Sequence, residues 1–273
     1  MSPRERILAT LNRTPTDRAP VDIWCTAEVL DSLRAHVRED DELAVYQKLG
    51  LDKIVWIFPG YVGGKSSDPN KRGGTNPWPL GLVGCETPEE LTANAVWPNP
   101  EHFDCAAARK AAQQAREFDF ATIGPWISHF EIYCGVRGLE NGLMDVVADP
   151  ELLRAGLEQI DRVQTGMLLR MLDELGDLLD IVFISDDLGT QESLLISTGA
   201  WEEYLQPRLK RWCDIIHEHG KKVLFHTDGA ARPFIPGLIA SGIDILNPIQ
   251  HICPGMDREQ CHHYLRGRAG YRG

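Results

Sequence analysis

The sequence predicts an α/β fold, and within that class a (β/α)8 TIM barrel lacking its last strand–helix unit. Short apolar runs alternate with helical segments along the 273 residues, an order that implies parallel strands joined by helical crossovers. Neither G-x-G-x-x-G nor G-x-x-x-x-G-K-[ST] occurs, which argues against an open nucleotide-binding sheet. Polar residues follow several of the predicted strands, and barrel enzymes place their chemistry at such strand ends.

The elements are assigned in chain order. A capping box at Ser2–Glu5 predicts a first helix over Glu5–Leu11. The predicted strands are Val21–Trp24, Lys53–Phe58, Phe120–Gly124, Asp180–Ile184, Val223–Phe225, Ile243–Leu246 and Gly267–Tyr271. The other predicted helices are Glu28–Val37, Glu42–Leu49, Glu101–Phe118, the long helix from its Asp149–Pro150 cap to Leu175, Trp201–His219, Phe234–Ala240 and Asp257–Leu265. Because the last strand is only the seventh, we expect a truncated or fragmentary barrel.

A single domain over residues 1–273 is expected, with a long lid-like insertion at about 60–100. That stretch is rich in glycine and proline, including Gly63–Gly64 and Pro77–Trp78–Pro79. A connection of this length inside a compact domain is usually functional or disordered. An ordered lid is the preferred interpretation, because Trp78 and Leu82 offer apolar surface that can bury something beneath it.

Composition excludes several classes of partner. Hydrophobic residues make up 43% and charged residues 25%, as in ordinary soluble proteins. Asp and Glu outnumber Lys and Arg by 40 to 28, and the net charge of −12 argues against nucleic acid as a partner. No apolar run approaches the ~20 residues of a membrane span, and the charged N-terminus lacks the apolar core of a signal peptide. Seven scattered cysteines without a C-x-x-C agree with a reducing, cytoplasmic location.

Polar residues that could bind a metal or transfer a proton come directly after several predicted strands, at the same end of the predicted sheet. Two adjacent aspartates follow one strand and His-x-Asp follows the next. A polar loop does not need this combination of residues, so it indicates a functional site. The candidate site residues are Trp24, Trp126, Glu131, Asp187, His226, Asp228, Asn247 and Gln250.

The segment His226–Thr227–Asp228 has two interpretations. Asp228 and Gly229 can form a turn in which Asp228 caps the following helix. Alternatively, an imidazole and a carboxylate two residues apart lie on one side of an extended strand end, where both can reach one metal ion. A histidine directly after a buried strand adds little packing, which favours a functional role for His226.

The neighbouring polar residues also allow two interpretations each. Asp186 and Asp187 either are solvated or cap the next helix, or they lie in a cleft, where crowded carboxylates act as acid or base or bind a cation. Asn247 and Gln250 either orient a substrate by amide hydrogen bonds or cap the turn that follows the strand. Cys253 is a possible thiolate ligand or a buried core residue.

The sequence resembles the uroporphyrinogen decarboxylase superfamily over nearly its whole length. The matching segments are Arg4–Arg6, Asp17–Val21, Gly124–Trp126, Arg137–Glu140, Ser185–Gln191, Phe225–Gly229 and Gly242–Gln250. Members of this superfamily are single-domain (β/α)8 barrels, so the resemblance implies the same fold.

The superfamily contains porphyrinogen decarboxylases and methyltransferases. The decarboxylases carry an arginine-rich segment after the first strand and an aspartate after the second. Here those places read Trp24–Glu28 and Phe58–Gly60, and only Tyr133 corresponds to a tyrosine that the decarboxylases carry after the third strand. The resemblance therefore implies the methyltransferase-like branch rather than a true uroporphyrinogen decarboxylase.

The methyltransferases move a methyl group between a small methylated donor or thiol and a corrinoid protein, and use zinc to activate a thiol or an ether oxygen. Where the thiol-methylating branch has His-x-Cys, this chain has His226-x-Asp228, a harder ligand set that suits an oxygen. The resemblance implies zinc held by His226 and Asp228, with Asp187 or Glu131 as third ligand or base. It also implies a corrinoid protein as partner and substrate contacts from Trp24, Trp126, Asn247 and Gln250.

Two other functions stay open. A cofactor-free decarboxylase of the uroporphyrinogen decarboxylase type predicts arginines, Arg137 and Arg232 among them, that face the cavity. A truncated relative that binds a ligand without catalysis is the third hypothesis, motivated by the missing strand–helix unit.

Overall fold

The computed structural model of the chain describes residues 1–63, 78, 82–93, 95–257 and 259. The strands are β1 (Ile54–Trp56), β2 (Gly60–Tyr61), β3 (Phe103–Asp104), β4 (Ala121–Ile127), β5 (Ile181–Ser185), β6 (Lys222–His226) and β7 (Ile245–Asn247). The helices are α1 (Pro3–Leu11), α2 (Ala27–Val37), α3 (Glu42–Lys48), α4 (Pro88–Ala93), α5 (Ala106–Glu117), α6 (Phe130–Arg137), α7 (Leu139–Ala148), α8 (Pro150–Leu175), α9 (Thr198–Tyr204), α10 (Gln206–Glu218) and α11 (Ile235–Ser241).

Five strands form one parallel sheet in the order β1-β4-β5-β6-β7, and β2 pairs with β3 in a separate antiparallel ribbon. The register sets Ser185 beside His226 and His226 beside Asn247, so three strands end at the same level. The α/β class with a parallel sheet is thus confirmed. Closure into a barrel stays a prediction, and the predicted strand Gly267–Tyr271 lies outside the described residues.

Both faces of the sheet are covered, as the apolar strands predict. Phe183 and Leu224 point to one face, where they pack against Ile7 of α1. Val182 and Ile184 point to the other face and join the large core formed with the helices. This alternation follows from the two-residue period of a strand, and it places Ser185 on the same face as Phe183.

Charged residues fasten α1 across the end of the sheet at which the strands begin. Asp180 precedes β5 and accepts hydrogen bonds from Arg4 and Arg116, each with an N–O distance of 2.8 Å. Fully buried Asp52 precedes β1 and binds Arg6 and Arg18. With this end occupied by α1, the opposite end of the sheet is the one open to chemistry.

Five predicted strands are confirmed, but Val21–Trp24 is wrong as a strand. One backbone hydrogen bond joins this segment to the residues before β1, from the nitrogen of Asp52 to the oxygen of Val21 at 2.7 Å. The other hydrogen bonds between the two segments involve side chains. Lys53 donates through Nζ to the oxygen of Ile23 at 2.8 Å, for example. Side-chain contacts of this kind hold the segment beside β1 without forming a strand ladder.

Two helix predictions also differ from the structure, and two helices were not predicted. The segment predicted as Glu101–Phe118 begins with a 3-10 turn and β3, so its α-helix starts at Ala106. The segment Trp201–His219 is divided into α9 and α10, because Pro207 lacks the N–H that a continuous helix needs. Helices α6 and α7 lie in a stretch for which no helix or strand was predicted.

Much of the predicted lid lies outside the described residues. Its described part contains β2, a 3-10 turn over Leu82–Gly84, and α4. The helix predicted over Asp257–Leu265 also lies almost entirely beyond the described residues. Among the helices described, none is both long enough and apolar enough to cross a membrane.

Candidate metal centre

His226, the last residue of β6, is oriented by a neighbouring strand. Its Nδ1 lies 2.9 Å from Oδ1 of Asn247, the last residue of β7. Donation from Nδ1 to that amide oxygen is the arrangement that leaves a lone pair on Nε2 for a metal ion. A histidine that binds a metal usually has this arrangement, in which the nitrogen that is not a ligand donates to an oxygen.

Nε2 of His226 faces two carboxylates. Oδ1 of Asp187 lies 4.0 Å away and Oδ2 of Asp228 lies 3.9 Å away. The two aspartate side chains are 46% and 49% exposed, whereas the imidazole is 21% exposed, so solvent reaches the carboxylates. These three ligand atoms all lie within 4.8 Å of one another. Among the described residues, they form the group of His, Cys, Asp and Glu side chains that could hold a metal ion.

The donor set fits a divalent cation. Zinc bonds of ~2.0–2.2 Å at tetrahedral angles separate ligand atoms by about 3.4 Å. The two distances from His226 must therefore close by roughly half an ångström, and the two carboxylate oxygens by at most about 1.4 Å, to accommodate the ion. One nitrogen and two carboxylate oxygens leave a fourth position for water or substrate, as in catalytic zinc sites. Both aspartates and His226 were predicted site residues, and the fold brings them together.

Glu131, near the start of α6, lies beside this group rather than within it. Its Oε1 accepts hydrogen bonds from the Ser185 hydroxyl and from the nitrogen of Asp187, the latter at 3.1 Å. Burial raises the pKa of the Glu131 carboxyl, and the nearby Asp187 carboxylate raises it further. A carboxyl with a raised pKa is a candidate for proton transfer near neutral pH.

Asp186 has a different role from its neighbour Asp187. Its buried carboxylate accepts hydrogen bonds from the Ser128 hydroxyl at 2.7 Å, and from the nitrogens of Phe130 at 2.6 Å and Glu131 at 3.1 Å. Burial raises the pKa of Asp186 to about 7, with Glu131 contributing to the rise. The sequence suggested that Asp186 could cap the next helix, but Asp186 instead holds the start of α6, which precedes it in the chain.

A row of aromatic rings borders the site. The Trp24 ring centroid lies 5.4 Å from that of Trp56, which stacks on Phe58 at 5.4 Å and meets Phe183 at 4.6 Å. Phe183 in turn lies 5.6 Å from the imidazole of His226. Trp24 and Phe58 are 47% and 48% exposed, which leaves apolar surface for a ligand. Only Trp24 was predicted; the two-residue spacing of Trp56 and Phe58 on one strand face was the signal for the others.

The other predicted substrate contacts have structural partners. Trp126 is half-buried in β4, in register with Phe183 and next to a bulge at Pro125, which has no N–H for the ladder. Oε1 of Gln250 accepts from the nitrogen of Gly229 at 2.6 Å, so Gln250 holds the turn after β6. Asn247 orients His226. Substrate contact by these three residues stays a prediction.

Gly229 is required for the approach of two loops. It has φ of +82°, and a Cβ added there would lie 2.4 Å from the oxygen of Thr190. Cys253, the alternative thiolate ligand, lies instead with Sγ 3.5 Å from Oε1 of Gln191. The loops after β5, β6 and β7 therefore pack closely around the site.

The residues expected of a decarboxylase are engaged elsewhere. Arg137 is buried, donates through Nε to Asp145 at 2.8 Å, and binds the carbonyl oxygen of Cys85 at 2.9 Å. The hydroxyl of Tyr133 donates to the same Asp145 at 2.7 Å. Arg232 is half-buried against Gly255. Arg137 thus holds the segment before α4 instead of presenting a charge to a substrate.

Comparison with known proteins bears on the fold. One solved structure that the chain resembles is a methyltransferase from Methanosarcina mazei, with a TM-score of 0.57 and 17% sequence identity. The alignment covers 90% of this chain and 75% of that one. No protein-family model and no curated protein matches the sequence. The resemblance to the uroporphyrinogen decarboxylase superfamily therefore stays a prediction, and the likeness to the solved structure is one of fold.

Proposed function

We propose that this chain is a metal-dependent methyltransferase that moves a methyl group from a small methylated substrate to a corrinoid protein. The observation that carries the proposal is the orientation of His226, whose Nε2 faces Asp187 and Asp228 while Nδ1 is bound by Asn247. The fold likeness to a solved methyltransferase supports the class of reaction.

His226, Asp187 and Asp228 would hold zinc, which supplies Lewis-acid activation of the substrate's oxygen. When a methyl group leaves an ether, the oxygen keeps the bonding electron pair and needs a proton to become a hydroxyl group. Glu131 would give that proton, because burial raises its pKa and so favours its protonated form. An oxygen substrate suits the carboxylate ligands better than a thiol does.

The aromatic row would bind the part of the substrate that carries the methyl group. Trp24 also borders a cavity of about 330 Å³ that is lined by Leu224, Ile245 and Asn247 and, from α1, by Ile7, Thr10 and Leu11. A volume of this order fits a small molecule, and its lining is largely apolar. Exclusion of water by these rings would strengthen the electrostatic interactions at the neighbouring carboxylates.

Metal analysis of the purified chain tests the site directly. We expect stoichiometric zinc in the wild-type protein and in His219→Ala, a histidine of the α10 terminus, but not in His226→Ala. Full activity in the presence of a strong chelator, with no metal bound, would contradict the proposal.

Methyl transfer is tested with reduced cobalamin and a panel of small methyl ethers and methyl thioethers. We expect methylcobalamin to form with an ether, as followed by its absorption spectrum, and to form much more slowly with Asp228→Asn. Loss of carbon dioxide from a carboxylated substrate, without methyl transfer, would support the decarboxylase instead. The buried positions of Arg137 and Tyr133 weigh against that outcome.

A further inference from the structure

Four acidic residues at the site are connected by one repeated contact. In each case the carboxylate of one residue accepts a hydrogen bond from the backbone nitrogen of the next. The carboxylate of Asp186 binds the nitrogen of Glu131 at 3.1 Å, that of Glu131 binds the nitrogen of Asp187 at 3.1 Å, and that of Asp187 binds the nitrogen of Asp228 at 3.0 Å. We call this series the acid chain; it joins the ends of β4, β5 and β6.

The acid chain runs from a buried end to an exposed end. Asp186 is 4% exposed and is held by further hydrogen bonds from Ser128, His129 and Phe130. Asp228, at the other end, directs its half-exposed carboxylate towards His226. Asp186, at the buried end of the acid chain, thus accepts the most hydrogen bonds.

The first two contacts are reciprocal. The Asp186 side chain binds the backbone at the start of α6, and the Glu131 side chain from α6 binds the backbone of Asp187 in return. Two opposed contacts between the same pair of segments fix both their separation and their rotation. The position of Asp187 therefore depends on the attachment of α6 to the end of β5, and Asp187 in turn holds Asp228.

We propose that Asp186 is a positioning residue for the candidate metal centre: through the acid chain it sets the places of Asp187 and Asp228 without binding the ion itself. The proposal deepens the proposed function and rests on it for the identity of the ligands. Groups that orient metal ligands typically contribute 10–100-fold to metal affinity.

Zinc titration against a chromogenic chelator tests the proposal in the full chain. We expect Asp186→Ala to lower zinc affinity about 10–100-fold, and Asp186→Asn, which keeps an accepting oxygen, to lower it less. The matched control is Asp149→Ala, since Asp149 caps α8 by accepting from the nitrogen of Leu152 at 3.1 Å. Equal zinc affinity of Asp186→Ala and Asp149→Ala would overturn the proposal and leave Asp186 as a helix cap only.

Hydrogen exchange of the metal-free protein separates this proposal from the proposed function. Asp186→Ala is expected to speed exchange at the amides of Asp187 and Asp228, which Asp149→Ala leaves unchanged. Ser128→Ala, which removes one donor to Asp186, is expected to do so more weakly and serves if the alanine variant does not fold. Wild-type protein that binds no zinc would contradict the proposed function. Unchanged exchange at both amides in Asp186→Ala and Ser128→Ala would instead overturn the proposal that Asp186 positions Asp187 and Asp228.

Discussion

Asn247 holds the imidazole of His226, and one substitution removes this contact. We expect Asn247→Ala to lower zinc affinity about 10–100-fold, because the ring loses the oxygen that fixes its orientation and its tautomer. Zinc titration of the purified variant measures the loss. Asn141→Ala is the control, since Asn141 donates to the oxygen of Val83 away from the candidate site. Unchanged zinc affinity in Asn247→Ala would contradict the assigned role.

His129 predicts a dependence of stability on pH. It lies buried, stacks on Trp212 with ring centroids 3.6 Å apart, and contacts Asp161 at 3.0 Å. Burial lowers its pKa from 6.5 to about 4, so the unfolded chain binds the proton more readily than the folded chain. The contribution to stability is therefore complete above pH 6.5 and is lost as the pH falls towards 4, by about 3 kcal/mol.

Urea unfolding of the wild-type protein and of His129→Gln at several pH values measures this effect. The free energy of unfolding of the wild-type protein is expected to fall between pH 6.5 and 4. The variant should show a shallower dependence over the same range. Parallel curves for the two proteins would show that other groups cause the acid sensitivity.

Elements were predicted best where the residues that decide them are close in sequence. The capping box at Ser2–Glu5 is present as predicted, and the long α8 begins at its Asp149 cap. One prediction failed because a distant partner decides the conformation. Phe103 pairs with Tyr61 in the β2–β3 ribbon, forty-odd residues away in sequence, so a helical pattern there was overridden.

The attachment of α1 gives a prediction at this scale. Arg6→Ala leaves the fully buried Asp52 with only Arg18 as its ion-pair partner among the described residues. Leaving a buried charge without a partner costs roughly 3–5 kcal/mol, which is the upper limit here because Arg18 still pairs with Asp52. Breaking the exposed pair of Arg34 and Asp31 costs about 0–1 kcal/mol. Urea unfolding of Arg6→Ala and Arg34→Ala compares the two. Zinc affinity should be the same in both, because α1 lies at the opposite end of the sheet.

At the scale of the whole molecule, zinc should stabilise the fold. The three ligand side chains come from the ends of two different strands, β5 and β6, so the site exists only in the folded chain. At a free zinc concentration of about 100 times Kd, binding adds about 2.7 kcal/mol, which corresponds to a rise in Tm of about 5–10 °C. Thermal unfolding followed by circular dichroism, with and without zinc, measures this shift. His226→Ala should show none, and a molten wild-type chain would favour the non-catalytic hypothesis.

The sequence by itself determined the strands with continuous apolar runs, their alternation with helices, and the candidate residues directly after them. These features depend on local pattern, since a buried strand must be apolar and its polar successor must lie at the strand end. The proximity of His226 and Asp228 follows from their spacing alone.

Only the tertiary structure decided which polar residues act together. It brought Asp187 to His226 through the pairing of β5 with β6, and it joined Asn247 to the imidazole through β7. It also separated two adjacent aspartates, because successive residues at a strand end point to opposite faces. Asp186 therefore turns towards α6 while Asp187 faces the candidate metal centre, a difference that the sequence Asp-Asp does not contain.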